Sequence, residues 1–477
     1  MTTRRQRHVS PEKNLTIAER LQRVDDERAH IEAFDREREL EAGQLTPRQR
    51  VELMVDEGSF LEIGAFAKSQ HHEVADETPA DGVIVGYAEI SGRRTVVIAE
   101  DPIALANSDA QVGKNKRNRM LSNAIYRRLP IVYLADGTTD EVPEFDLHAG
   151  VLLSRVAEQL PARDIAEREA PLVTVACGHC AGQNSALAVR SDLLVATDRA
   201  AFGAHEGSAE SVADLVCDSD AEAIGAARRF LATLPAELGS ALAPIGGASS
   251  DAALNLTDED MHASPREQMD AIFDAGSITL LGPADEHCAV GVGQVEGVPV
   301  AFALTGGWPR AALTTADMKR IARAASWSAD YQIPFLSTQD TLGYDPVDAA
   351  SGEFMFAAAR AAESLRASHA AKITIITGWG HALGDFALGG MGTGFDFIWC
   401  WPSARPAMTE SPGYLARDPE SPPSEDPWEA ADLGLVSEMI TPADTRSWLV
   451  RALRLLGPGR ALPAAHYDRG QQIHDMT

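Results

Sequence analysis

One succession of segments occurs twice in this chain, and that repetition constrains the fold more than any other feature. Asp56-Glu-Gly-Ser-Phe-Leu-Glu-Ile-Gly64 is echoed by Phe273-Asp-Ala-Gly-Ser-Ile-Thr-Leu-Leu-Gly282. Gly82-Val-Ile-Val-Gly86 with Ile90-Ser-Gly-Arg-Arg-Thr-Val-Val97 is echoed by Val290-Gly-Val-Gly293 with Val295-Glu-Gly-Val-Pro-Val300. Each pair reads as strand, tight glycine turn, strand. A helix-like stretch follows in both copies (Lys114–Arg128, Thr315–Tyr331), then an apolar strand (Pro130–Asp136, Pro334–Asp340). A second apolar strand (Pro171–Ala176, Lys372–Ile376) runs into Gly178-His-Cys-Ala-Gly182 in one copy and Gly380-His-Ala-Leu-Gly384 in the other. A third strand closes each set (Asp192–Ala196, Asp396–Trp401).

Apolar strands alternating with helices imply an α/β architecture with strands buried on both faces. The two copies imply tandem domains over 46–255 and 256–465, joined where Gly, Ser and Asp cluster near Pro244–Asp260. The segment 1–45 reads as a charged helical arm, with Ala18, Leu21, Val24 and Ile31 as a narrow apolar stripe. Thr46-Pro47 marks the helix that starts the body. Residues 403–427 read as a loop, Ala430–Leu456 as a short strand and a helix, and 466–477 as a tail.

Lysine plus arginine total 42 against 70 aspartates plus glutamates, for a net charge of −28. A surface that acidic repels phosphate backbones and anionic lipid, so neither nucleic acid nor a membrane is an expected partner. The charged opening segment lacks the apolar core of an export signal, and no stretch of about 18 apolar residues occurs. Five cysteines fit a reducing compartment rather than a disulfide framework, so a cytoplasmic location is expected.

The duplicated order, with Arg50-Val-Glu-Leu-Met-Val-Asp-Glu-Gly-Ser-Phe-Leu-Glu62, Thr78-Pro-Ala-Asp-Gly-Val83, Cys177-Gly-His-Cys-Ala-Gly182, Trp401-Pro402, Ala430-Ala-Asp-Leu-Gly-Leu-Val436 and Pro442-Ala-Asp-Thr-Arg446, resembles the carboxyltransferase (β) subunit of acyl-CoA carboxylases in the crotonase superfamily. The resemblance implies two tandem crotonase-like (ClpP/crotonase) β-β-α spiral domains behind the helical arm. It implies transfer of a carboxyl group from carboxybiotin to the α-carbon of an acyl-CoA. Acyl-CoA would bind the first half, and biotin on a separate carrier would enter against the second. Homo-oligomers built from dimers, commonly ring-shaped hexamers, and a biotin carboxylase/carrier α subunit are the implied partners.

That chemistry passes through an enolate, whose thioester oxygen gains charge. Backbone N–H groups at a strand-to-helix turn suit that charge, because they need no reorganisation as it develops. By resemblance the amides of Gly182 and Gln183 would hold the acyl-CoA oxygen. In the second half the donors would be Leu383 and Gly384 when counted without gaps, or Gly384-Asp385 when the glycine-histidine runs are superposed. Gly178 would let the chain approach a ligand closely. His179 and His381 either face the site as hydrogen-bond donors or proton carriers, or are turn histidines satisfied by backbone. Lys114, Lys116, Arg117 and Arg119 would receive the phosphates of coenzyme A, or else form a solvated helix face or a subunit contact. No metal site is expected.

The site motifs also depart from the family. Its Asp-Ser-Gly-Gly-Ala-Arg segment is Asp136-Gly-Thr-Thr-Asp-Glu141 here, the second glycine of the first turn is Gln183, and the loop after Pro402 is Ser403-Ala-Arg-Pro-Ala-Met. Two further readings therefore stand beside the first. One is a biotin-independent thioester decarboxylase, hydrolase or hydratase on the same fold. The other is a non-catalytic scaffold paralogue. Cys177-Gly-His-Cys180 has thioredoxin-like spacing at a strand-to-helix junction, against a packing role for both thiols. Trp399, Trp401 and Phe397 read as core.

Overall fold

The chain is described here from a computed structural model, which covers residues 15–36, 44–70, 73–106, 111–138, 168–181, 183–203, 209, 212–235, 254, 263–282, 286–380, 388–390, 394–406 and 426–456. The first half forms an eight-stranded sheet: β1 (Leu61–Glu62), β2 (Val83–Ile90), β3 (Arg93–Glu100), β4 (Ile131–Thr138), β5 (Leu172–Ala181), β6 (Leu193–Thr197), β7 (Ala201–Phe202) and β8 (Leu215–Cys217). The order is β1-β2-β3-β4-β5-β6-β8, with β7 on the far end of β5. The second half repeats it with β9 (Thr279–Leu280), β10 (Cys288–Val295), β11 (Val298–Thr305), β12 (Phe335–Gln339) and β13 (Lys372–Ile376). β14 (Trp379–Gly380), β15 (Phe397–Cys400), β16 (Arg405–Pro406) and β17 (Glu438–Met439) follow. The second main sheet runs β9-β10-β11-β12-β13-β15-β17, and β14 pairs with β16 beside it.

Both sheets open with an antiparallel hairpin, β2–β3 and β10–β11, and continue with parallel strands. The hairpin turns are Ser91-Gly92 and Glu296-Gly297, all four residues having positive φ. Two-residue turns of that hand match the twist of the strands they join. The pairing expected from the sequence is therefore present in both halves.

Helices cover both faces of each sheet. They are α1 (Ile17–Arg36), α2 (Pro47–Met54), α3 (Pro102–Ala106), α4 (Gln111–Tyr126), α5 (Gln183–Ala188), α6 (Asp220–Thr233), α7 (Pro265–Ile272), α8 (Thr315–Tyr331), α9 (Pro346–Ala350), α10 (Glu353–Ala367), α11 (Pro427–Asp432) and α12 (Thr445–Leu456). α2 and α7 begin alike, at Thr46-Pro47 and Ser264-Pro265, each with a reciprocal capping box. On the first sheet α4 and α5 cover one face, where Met120, Leu121 and Leu187 meet Val96, Ile98 and Tyr133. α2 and α6 cover the other, and that layer continues without a break onto α8 and α10 of the second half. The outer face of the second sheet packs on α7 and α12, with Trp399 and Trp401 buried among them as expected.

The halves meet through specific bonds as well as apolar area. The Trp327 indole donates to Asp192 O at 2.9 Å and its ring lies 4.9 Å from that of Phe230. Arg323 pairs with Asp214 at 3.0 Å. The arm is a mostly exposed charged helix. Only Ile31 of the stripe is buried, whereas Ala18 and Leu21 are exposed. α1 is fastened at its C-terminal end by Lys68–Glu27 at 3.0 Å and by Thr46 Oγ1 donating to Asp35 at 2.7 Å. The tail 466–477 and most of the expected link near 244–260 lie outside the described residues.

Candidate active site

The two sheets end in the same local construction where their parallel strands stop. Asp136 lies near the end of β4, and Asp340 directly follows β12. Each aspartate presses on a glycine, Gly178 within β5 and Gly378 just past β13, so that a Cβ at Gly178 would overlap Asp136 Oδ1 and one at Gly378 would overlap Asp340 Oδ1. Beyond these glycines the chain makes a short outer pairing in both halves: His179 opposite Ala201, and Trp379 opposite Arg405. Gly178, His179 and Cys180 thus correspond to Gly378, Trp379 and Gly380. Superposing the two glycine-histidine runs by sequence would instead set Gly380 on Gly178, two residues further along the chain than Gly378.

The two aspartates are neutralised from opposite directions. Asp136 accepts from Arg50 Nη1 at 2.6 Å, and Arg50 Nε pairs with Asp220 at 2.7 Å inside the protein. Burial pushes the Asp136 carboxyl up, against the pull of Arg50. Asp340 pairs with Arg310, which comes from the loop after β11, and also accepts from Trp379 N at 3.0 Å. The Arg310 guanidinium lies 5.6 Å from the Trp308 ring centre and 5.1 Å from that of Trp379, and Arg405 lies 5.7 Å from Trp379. Trp308 is 69% exposed. The second half therefore presents cations stacked on aromatic rings, where the first keeps its countercharge buried.

In the first half a single residue separates β5 from α5, so the strand turns directly into the helix at Gln183. The strand runs three residues past Gly178 because β4 and β5 shift register between Ala135 and Gly137, which lets Gly137 pair with Cys180. The strand therefore takes in Gly178–Ala181 of the segment expected from the sequence as a turn. Beneath it lies a closed polar cluster. Asn184 Nδ2 donates to Glu100 Oε1 at 2.7 Å and to Gly137 O at 3.2 Å, and Asn184 Oδ1 accepts from Arg117 at 2.8 Å. Glu100 Oε2 accepts from Asp136 N at 3.3 Å. Burial pushes the Glu100 carboxyl up, and the Arg117 charge pulls it down.

The expected site residues fall into distinct places. Gly178 is half-buried at the Asp136 contact, and exposed His179 donates through Nε2 to Gly203 O at 3.2 Å, the turn-histidine arrangement. The four cations do not form one phosphate patch. Arg117 is 1% exposed and paired with Glu100 at 3.5 Å, because its face of α4 packs on the sheet. Lys116 donates to Gly64 O at 3.1 Å and Ala80 O at 2.8 Å, and burial pushes its ammonium down to about 8. Lys114 is half-buried, and Arg119 is exposed. Gly182, His381, Leu383, Gly384 and Asp385 lie outside the described residues, as does the side chain of Gln183.

The thioredoxin-like reading of Cys177 and Cys180 is corrected by the structure. Both lie within β5 rather than at a helix start, and they enter apolar layers on opposite faces of the sheet. Burial pushes Cys177 up to about 12 and raises Cys180 as well. Sequence reasoning missed Arg50, Glu100, Asn184, Asp220, Arg310, Trp308 and Trp379. The one available signal was that both repeated strands, Pro130–Asp136 and Pro334–Asp340, end in aspartate. Among the described residues no group of three or more His, Cys, Asp or Glu could hold a metal, and no helix is long and apolar enough to cross a membrane.

In sequence and in fold the chain is similar to carboxyltransferase β subunits. Residues 38–201 match the carboxyl transferase domain family. A biotin-dependent acetyl-/propionyl-coenzyme A carboxylase β5 subunit of Mycobacterium tuberculosis is 25% identical, over 87% of this chain and 87% of its own length. A propionyl-CoA carboxylase β chain of Saccharopolyspora erythraea is 25% identical over 88% of this chain and 89% of its own. The fold superposes on transcarboxylase 12S, solved as a hexamer with hydrolysed methylmalonyl-coenzyme A bound, with a TM-score of 0.80, 20% identity and coverage of 95% of this chain and 98% of that one. It also superposes on a single-chain, multi-domain long-chain acyl-CoA carboxylase, with a TM-score of 0.72 and 20% identity, over 92% of this chain and 49% of that one.

Proposed function

We propose that this chain is the carboxyltransferase subunit of an acyl-CoA carboxylase, moving a carboxyl group from carboxybiotin to the α-carbon of an acyl-CoA. The observation that carries this reading is the doubled construction: an aspartate pressed on a glycine and a short outer strand pairing stand at the same place in both halves. One corner serves the thioester and the other the biotin ureido group. The likeness to relatives named as biotin-dependent carboxylase β subunits supports the substrate class and the need for a separate biotin-bearing partner. The division into 46–255 and 256–465 follows the two sheets, and the hexamer of transcarboxylase 12S supports an oligomer.

In the first half the amides of Gly182 and Gln183 hold the thioester oxygen as the α-proton leaves; one such donor is worth about 3–4 kcal/mol of barrier. In the second half the correspondence of Gly378 with Gly178 carries Gly182 and Gln183 onto Ala382 and Leu383, which supports Leu383 rather than Asp385 as the donor beside Gly384. That register keeps the Asp385 carboxylate out of the pair of donors, where it would repel the developing charge. Arg119, exposed on α4, is the cation proposed to meet coenzyme A, with Lys114 on the same helix.

The test is reconstitution of the purified chain with a carboxylase α chain, ATP, bicarbonate and propionyl- or acetyl-CoA. Carboxylated thioester is the expected product. Consumption of malonyl-CoA without biotin, and no transfer with it, would replace this reading by the biotin-independent one. No thermal shift with any CoA thioester would favour a scaffold, since a bound ligand must stabilise the folded chain.

A further inference from the structure

We propose that Asn184 is a positioning residue, and that the buried cluster of Glu100, Arg117 and Asn184 sets the direction of the Gln183 amide. The inference rests on the reading of that amide as a donor to the thioester oxygen. Asn184 follows Gln183 directly, so whatever fixes its side chain fixes the peptide plane beside the donor. Its amide is held on both ends: Nδ2 donates to Glu100 Oε1 at 2.7 Å and to Gly137 O at 3.2 Å, and Oδ1 accepts from Arg117 Nη1 at 2.8 Å. Asn184, Glu100 and Arg117 are each 0–1% exposed.

Three other elements therefore converge on the one side chain of Asn184. Glu100 ends β3, Gly137 lies in β4, Arg117 lies in α4 and Asn184 lies in α5. Glu100 also accepts from Asp136 N at 3.3 Å, which ties the cluster to the aspartate that presses on Gly178. The cluster is short of acceptors: Arg117 Nη2 is buried without a hydrogen-bond partner, and the buried Tyr133 hydroxyl also bears on the Glu100 carboxylate. Loss of one acceptor cannot be made good locally, so the arrangement is held by the full set. An apolar residue at position 184 would leave the buried Glu100 and Arg117 groups without their amide partner and the turn free to tilt. Misplacing a donor by about 1 Å is enough to cost catalysis about a hundredfold while leaving substrate binding nearly intact.

The experiment compares wild type with Asn184→Ala, Asn184→Asp and the double variant Glu100→Gln/Asn184→Asp in the reconstituted carboxylation assay. Amide hydrogen exchange is followed in parallel over residues 183–188 and, as a control, over β6. Asn184→Ala should lower kcat by about tenfold or more, with KM for acyl-CoA changed by less than about threefold. Asn184→Asp should fall further, because it sets a carboxylate against Glu100. The double variant should recover most of that loss, since its new amide donates to its new carboxylate while Arg117 keeps an acceptor. Exchange at 183–188 should rise about tenfold in Asn184→Ala with β6 unchanged. A kcat within about twofold of wild type, a parallel rise of KM with a lowered Tm and no recovery, or unchanged exchange would each overturn the proposal. If wild type itself transfers no carboxyl group, the functional reading has failed, and the exchange comparison alone decides whether Asn184 orders the turn.

Discussion

Arg446 repeats in the second half the bonds that Arg228 makes in the first. Arg228, on α6, donates to Met54 O at the end of α2 and pairs with Asp56 at 2.9 Å. Arg446, on α12, donates to Ile272 O at the end of α7 and pairs with Asp274 at 2.6 Å. Each aspartate in turn accepts both amides of its hairpin turn, Ser91 and Gly92 in one half, Glu296 and Gly297 in the other. One clasp, helix to helix to hairpin, was thus retained through the duplication while the site residues diverged.

The two clasps differ in burial, and that sets the first expectation. Asp274 is 3% exposed by side chain, whereas Asp56 is 30% exposed. Its bond from Gly92 N–H, more than Arg228, holds the Asp56 carboxyl below its ordinary range. Arg446→Ala should therefore cost about 3–4 kcal/mol, because it strands a buried carboxylate. Arg228→Ala should cost about 1 kcal/mol, in keeping with a half-exposed pair. Urea denaturation of the two variants checks the order. Equal losses would mean that the pairs are not what distinguishes the halves.

The aspartate–glycine contacts give a second expectation. Gly178→Ala and Gly378→Ala each place a methyl group into a carboxylate oxygen, so each should lower stability by about 1–3 kcal/mol through overpacking. Asp340→Ala removes the obstacle at Gly378 but leaves Arg310 without its carboxylate. The pair Gly378→Ala/Asp340→Ala should therefore cost less than the sum of its parts. Thermal unfolding of the four-member cycle measures the coupling. Strict additivity would show that the two side chains do not meet.

How much of this was legible beforehand depended on the range of each signal. The hairpins, the parallel strands and α8 follow from local patterning: alternation at Val83–Ile90, a glycine turn at Gly92, a capped apolar periodicity from Thr314 onward. Residues such as Arg50, Glu100 and Asn184 carry no local mark. Arg50 meets Asp136 and Asp220, and Asn184 meets Glu100, only because strands distant in sequence are brought side by side. Arg117 was misplaced for the same reason: four cations in a row on a helix look like one surface, but periodicity turns one of them inward. The register of the second turn stays open in the sequence because Gly380-His381 resembles Gly178-His179 in letters, whereas the contact with Asp340 pairs Gly378 with Gly178.

Cys177 and Cys180 should behave as packing residues. With its pKa pushed up to about 12, Cys177 is thiolate to about one part in 10⁵ at pH 7. The two sulfurs also sit in different apolar layers. Iodoacetamide should label neither in the native protein and both after denaturation, and diamide should form no bridge between them. A Cys177–Cys180 disulfide found by mass spectrometry would sink the packing account.

Lys116 makes stability depend on pH in the alkaline range. Burial holds its ammonium at about 8 in the folded chain, against 10.5 in the unfolded one. Between those two values the unfolded chain binds the extra proton, so folding becomes more favourable as the pH rises through that window. The contribution amounts to about 2–3 kcal/mol between pH 7 and 10. Lys116→Met abolishes it. Its cost relative to wild type should therefore be small near pH 7, where wild type carries the penalty of a half-buried charge, and should grow toward pH 10. Denaturant midpoints of both proteins at pH 7, 8.5 and 10 test the sign. A difference that stays constant, or shrinks as the pH rises, would mean that the bonds from Lys116 to Gly64 O and Ala80 O hold the charge at its ordinary pKa.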